Sequence, residues 1–190
     1  EAALITPSGY LAAQLTVTAL ASFGRVIYAP ATHPALWLDE PPGSKGSFQQ
    51  WASALVDIIN TAEQEKWVLI SNSMNNLFPE IYDFNFLRQI RTDKQLILIV
   101  DDSHGIGVNN QGLGAYTQLP KQKNIELVVV ASMAKALGVD AGLVLGSGKI
   151  IAELKNTNIF PGAPPPAAAG LYAFIKAKDI YAEALEKLNE

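Results

Sequence analysis

The chain has 190 residues, 49% hydrophobic and 17% charged, with a net charge of −4 and no cysteine. That length suits one domain with a single sizeable core, and no apolar stretch approaches the roughly 18 residues of a membrane span. The charge balance offers no basic field for nucleic acid or an anionic membrane, and the lack of cysteine excludes disulfides, thiolate metal sites and thiol nucleophiles.

The first expected helix is "SGYLAAQLTVTALASF" (8–23), with Ser8 as its cap and the amides of Gly9 and Tyr10 forming an anion-binding terminus. "RVIYA" (25–29) reads as a strand, and "PATH" places His33 just past it. A helix over "SFQQWASALVDIINTAEQ" (47–64) leads to the strand "WVLIS" (67–71), and "FNFLRQIRT" (84–92) reads as a further helix. The strands "LILIV" (96–100), "LVVVA" (127–131) and "GLVLG" (142–146) follow. Most of these strands are apolar at nearly every position, as strands covered on both faces are. The alternation predicts an α/β fold, a three-layer sandwich with a mainly parallel sheet. "PGAPPP" (161–166) is a stiff lead into a closing helix over 167–190, on which Leu171, Phe174, Tyr181, Leu185 and Leu188 share a packing face. The chain opens on "EAALITPSGY" without an initiator methionine or a signal-like segment, so processing or truncation is expected, and a cytoplasmic location fits.

In parallel sheets ligands bind at the carboxyl ends of the strands. "LIVDDSHGIG" (98–107) puts Asp101 at such an end, where a carboxylate partly shielded from water needs a cation or donor. Asp102 reads as a structural acceptor for loop amides. "LVVVA" runs into "SMAKALG", which brings Ser132 and Lys135 to the same edge if the two strands are near neighbours. An amine, a carboxylate, imidazoles, a hydroxyl and an anion site together suit pyridoxal 5'-phosphate (PLP). That cofactor needs a lysine for its imine, an acid to keep the pyridine nitrogen protonated, and a seat for its phosphate. Rival chemistries are weaker. "SMAK" fits S-x-x-K, but "SDN" and "KTG" are absent. A metal site at "DDSH" would lack ligands in a chain with two histidines, so no metal residue is assigned. "GIGVNN" lacks the third glycine of a nucleotide loop.

"VDDSHGIGV" (100–108), "ASMAKALGVDAG" (131–142), "TPSGYLAAQLTV" (6–17) and "FPGAPPPAAAG" (160–170) resemble, in order, segments of the alpha-oxoamine synthases. This is the fold-type I PLP branch that contains 8-amino-7-oxononanoate synthase and 2-amino-3-ketobutyrate CoA ligase. The resemblance implies that Lys135 carries the imine and moves the substrate's alpha proton, while Asp101 pairs with the pyridinium nitrogen. His104 would bond the phenolic oxygen, Ser103 would pack beneath the ring and His33 would stack on its other face. Ser132 with the amides of Gly9 and Tyr10 would hold the phosphate. Asn76 falls near the phenolic oxygen, where the synthases have serine and related aminotransferases asparagine. "GLG" (112–114) replaces the family's "GRG", and Pro161 and Gly162 supply no hydroxyl where many relatives lend one across a subunit boundary. The implied function is a PLP-dependent acyltransferase that condenses an amino acid with an acyl-CoA with decarboxylation, in a homodimer. An aminotransferase and a truncated, non-catalytic PLP-fold domain are the alternatives. Relatives carry an N-terminal segment and a C-terminal small domain, so residues 1–190 are expected to form the PLP-binding large domain alone.

Overall fold

The computed structural model describes residues 1–39, 41 and 43–190. Its centre is a six-stranded sheet. Three strands with near-continuous apolar sequence occupy the middle: β3 (Lys66–Asn72), β4 (Gln95–Asp101) and β5 (Ile125–Ser132). With β2 (Arg25–Tyr28) they pair in parallel, while β6 (Gly142–Gly146) and β1 (Ala2–Thr6) complete the sheet antiparallel, in the order β1-β6-β5-β4-β3-β2. The expected mainly parallel sheet is therefore present, with one strand that the sequence reading missed. β1 is an edge strand of five residues, "AALIT", directly ahead of the first helix cap, and its pairing partner lies far along the chain.

The pleat sorts the strand residues onto two faces. Trp67, Leu69, Leu96, Leu98, Val100, Leu127 and Val129 pack on one side with Phe48, Leu55 and Ile59 of α2 (Phe48–Thr61). Val68, Ile70, Ile97, Ile99, Val128 and Val130 pack on the other. There they meet α1 (Gly9–Leu20) and α3 (Gly148–Lys155) through Ala12, Ala13, Leu15, Ile150 and Leu154. Each layer begins from local sequence chemistry. Ser47 and Gln50 form a reciprocal capping box that starts α2, and the Ser8 side chain accepts from Leu11 N to start α1. The buried Lys94 is satisfied at the far end of α2, where its Nζ donates to Ala62 O at 2.6 Å and Gln64 O at 3.1 Å.

Two helix expectations need correction. The helix over 84–92 is only a 3-10 helix, Asn85–Gln89. Phe84 and Phe86 are drawn into an aromatic cluster around Phe48, against which Tyr82 stacks with ring centroids 4.1 Å apart. Residues 84 and 86 fall on different sides of a helix, so turning both rings toward Phe48 is at odds with regular helical turns here. After the short α4 (Ile159–Gly162), the single helix expected over 167–190 is two, α5 (Ala168–Lys176) and α6 (Lys178–Asn189), broken at Ala177. Leu171 and Phe174 pack partly against Met133 and Val139, and Tyr181 Oη donates to Leu137 O at 2.6 Å, whereas Leu188 is exposed. On either side of the break, both helices touch the loop after β5.

Leu98 is fully buried on the central strand. Leu98→Ala is expected to lower unfolding free energy by about 2–5 kcal/mol, read from the urea midpoint at unchanged slope.

Candidate active site at the carboxyl edge of the sheet

β4 and β5 are adjacent and parallel, with Asp101 opposite Val130, so the chemistry at their ends converges. Strand alternation puts Asp101 on the face of Ile97 and Ile99, and Ser132 on that of Val128 and Val130, which is the face covered by α1. Two hydrogen bonds fix this edge. Ser132 N donates to Ser103 Oγ at 2.7 Å, and Ser103 N donates to Asp101 Oδ1 at 2.8 Å. Beyond Ser132 the chain closes a compact loop, with Val139 N donating to Met133 O and Gly138 N to Lys135 O. That loop presents Lys135, whose Nζ lies 2.7 Å from His104 Nε2.

Lys135 and His104 are both exposed, yet each amine or ring is less basic than usual. Partial loss of hydration holds the Lys135 amine below the ordinary lysine value, with the Asp101 charge opposing that shift. His104 is lowered by desolvation first and then by Lys135; Asp101 works against this and His33 reinforces it. The amine and the ring nitrogen are thus placed to form one hydrogen bond. When the amine is protonated it donates to Nε2, and the His104 proton then sits on Nδ1.

His33 reaches the same edge by a built turn. Asn72, the last residue of β3, is buried; its Oδ1 accepts from His33 N at 3.0 Å, and its Nδ2 donates to Ala31 O at 2.8 Å. This clamp holds Ala31 at φ 55°, a left-handed conformation that costs a residue with a Cβ roughly 1 kcal/mol. His33 Nδ1 accepts from Ala35 N at 3.2 Å, which places the neutral ring's proton on Nε2. Sequence reasoning missed Asn72. A polar residue directly after the apolar run "WVLIS" was the available signal.

At the opening of α1 the Ser8 cap engages only Leu11 N, so it leaves the amides of Gly9 and Tyr10 uncapped. Gly9 lies so close to Ser132 that a Cβ there would collide with the Ser132 side chain and backbone. The glycine therefore brings the helix terminus against the end of β5. Asn76 is half-buried on the loop after β3, and among the described residues no side-chain hydrogen bond joins it to Asp101, His104 or Lys135. Asp102 accepts from Ala115 N at 2.8 Å, as a structural acceptor should, and points to the opposite face.

The chain as a whole has known relatives. The sequence matches the family described as aminotransferase class I and II over residues 1–190. The chain belongs to the aminotransferase class I and II family. Within it, an 8-amino-7-oxononanoate synthase from Mycobacterium leprae is 29% identical over 174 residues, covering 88% of this chain and 45% of that protein. The solved serine palmitoyltransferase from S. paucimobilis with bound PLP and myriocin superposes with a TM-score of 0.75 at 16% identity, over 98% of this chain and 48% of that one. The 8-amino-7-oxononanoate synthase from Francisella tularensis gives a TM-score of 0.67 at 24% identity, over 98% of this chain and 54% of that one. The likeness in structure bears out the α/β fold of a PLP transferase large domain, and the chain spans about half the length of the curated relatives it matches.

Two outcomes test the geometry. Reductive methylation followed by peptide mass spectrometry should show Lys135 reacting at lower pH than a lysine of ordinary basicity, because a lowered pKa frees the neutral amine earlier. Gly9→Ala should destabilise the fold by about 1–3 kcal/mol through overpacking against Ser132, whereas Gly148→Ala, with open space around it, should be near neutral in the same urea experiment.

Proposed function

We propose that the chain binds pyridoxal 5'-phosphate at this edge, as the cofactor-binding large domain of an acyltransferase that joins an amino acid to an acyl-CoA with decarboxylation. The observation that carries the reading is the Lys135 amine, made less basic and 2.7 Å from His104, beside Asp101 at the end of the neighbouring strand.

The residues present fit the group. Gly9 lets the start of α1 close against Ser132, which brings the uncapped amides of Gly9 and Tyr10 beside the Ser132 hydroxyl, where together they could take a phosphate. Asp101, steadied by Ser103 N, is the carboxylate for the pyridine nitrogen. Ser103 and His33 would flank the ring, His104 would donate to the phenolic oxygen with Asn76 close by, and Lys135 would be the point of attachment. Bound there, the cofactor supplies an electron sink for charge developing at the substrate's alpha carbon. The chain's own part is orientation and proton movement. Lys135, free of attachment, takes the alpha proton, and its depressed pKa suits a base working near neutral pH. His104 Nε2 stands within reach to hold that proton. The Asn72 clamp keeps His33 over the site.

The acyl-CoA reading is supported by the run of oxoamine-synthase-like motifs and by the synthases among the relatives. Asn76 favours an aminotransferase as the second reading, since it stands where the resemblance places asparagine in that group. We also propose a homodimer. Exposed apolar side chains at Leu77, Phe78, Tyr172, Ile175 and Ile180 support it.

Addition of PLP should give a visible absorbance band, and borohydride followed by peptide mapping should place the label on Lys135; Lys135→Ala should lose both. An amino acid that then consumes an acyl-CoA supports the acyltransferase, and one that consumes an oxo acid supports the aminotransferase. Label scattered over surface lysines, or none, would overturn the site. Cofactor binding without turnover of any amino acid would point to a non-catalytic domain.

A further inference from the structure

Lys135 stands on the loop between β5 and β6, whose neck and tip are held differently. The neck belongs to the sheet and the core: Met133 and Val139 are buried, Met133 N donates to Ala141 O at 2.9 Å, and Val139 N donates to Met133 O at 3.0 Å. The tip is open. Ala134, Lys135, Ala136 and Gly138 are exposed, and within the tip Gly138 N donates to Lys135 O at 3.1 Å. A tip of this kind is free to swing unless something beyond the loop holds it.

That hold comes from α6. Tyr181 Oη donates at 2.6 Å to the carbonyl oxygen of Leu137, two residues beyond Lys135, and no other donor reaches that oxygen among the described residues. Phe174 of α5 lies against the Tyr181 ring, with centroids 5.5 Å apart, and so helps to aim the hydroxyl. Leu185, one turn further on the same face of α6, meets the loop of His104: its Cδ2 lies 3.4 Å from where a Cβ on Gly112 would stand. Gly107 N donates to Gly112 O at 2.9 Å, which closes the turn that follows His104. At Gly107, with φ 81°, this turn approaches Ala136 and Leu137 closely enough that a side chain would crowd both. One helix face thus touches the two loops that bring Lys135 and His104 together. Between these contacts the packing is open, since a cavity of about 460 Å³ lies there with Gly107, Leu137, Ile175 and Ala182 in its lining. The tether therefore rests on the hydroxyl more than on continuous packing.

We infer that Tyr181 is a positioning residue for Lys135: its hydroxyl, carried by α6, fixes the Leu137 carbonyl and so sets the loop tip from which Lys135 reaches His104. Its functional weight rests on Lys135 being the point of attachment proposed above, whereas the tether stands on the contacts alone. Without the bond, the tip moves out into water. Lost hydration is the larger cause of the lowered basicity of Lys135, and the Asp101 charge opposes it, so an amine returned to water regains basicity.

The test is reductive methylation of the 190-residue chain over a series of pH values, with the midpoint of Lys135 modification read by peptide mass spectrometry. Tyr181→Phe keeps the ring and loses only the donor. Its Lys135 midpoint is expected to rise by at least about 0.5 pH unit, which is roughly threefold less neutral amine at a fixed lower pH, with native circular dichroism. Leu185→Ala loosens the packing of α6 and keeps the hydroxyl; it should lower the urea midpoint and leave the Lys135 midpoint in place. An unchanged Lys135 midpoint in Tyr181→Phe, or an equal rise in Leu185→Ala, would overturn the inference. Borohydride trapping with PLP separates it from the cofactor reading. Label on Lys135 of the unaltered chain, with no rise in Tyr181→Phe, leaves the cofactor site standing and removes Tyr181 from it. A rise in Tyr181→Phe with no label on Lys135 keeps the tether and removes the cofactor. Where both hold, half-maximal labelling of Tyr181→Phe should need about threefold more PLP, because the neutral amine is the form that makes the imine.

Discussion

The parallel pairing of β4 with β5 is the constraint on which the rest of the site depends. Once Asp101 is set opposite Val130, the loop after Ser132 must emerge beside the one after Asp101, and Lys135 and His104 come within 2.7 Å. A slip of one residue would send Asp101 and every apolar residue of β4 to the other face. The burial of Leu96, Leu98 and Val100 against α2, and of Ile97 and Ile99 against α1, makes such a slip costly. Core packing and site geometry are thus one specification.

That shared origin explains why the edge can hold groups that would be awkward elsewhere. The bonds Ser132 N to Ser103 Oγ and Ser103 N to Asp101 Oδ1 join the ends of the two strands before any ligand arrives. Asn72 does the same for the turn after β2, since it bonds both Ala31 and His33. Polar atoms at the carboxyl edge therefore sit in a frame set by the sheet, while Lys135 and His104 stay open to solvent at its rim. Preorganisation of this kind favours reaction by orientation more than by new contacts.

Much of the architecture was readable as local pattern. The apolar runs of β3, β4, β5 and β6 and the cap at Ser8 are short-range features, and they lie where the pattern indicates. The segment 84–92 misled because Ile90 follows Phe86 and Leu87 at helical spacing, although Phe84 and Phe86 serve the cluster around Phe48. The break at Ala177 had no local marker, for no proline or glycine stands there.

For the site, the sequence by itself determined which chemical groups are available and that Asp101 and Ser132 stand at strand ends, because apolar runs and turn signals act over a few residues. Tertiary structure alone decided that β4 and β5 are neighbours, that Gly9 touches Ser132, and that Asn72 bonds residues 39 and 41 positions away. It also decided that Asp101 lies on the α1 face of the sheet while the buried Asp102 turns to the other and accepts from Ala115 N. Those outcomes rest on register and long-range packing, which no stretch of the chain encodes in its own neighbourhood.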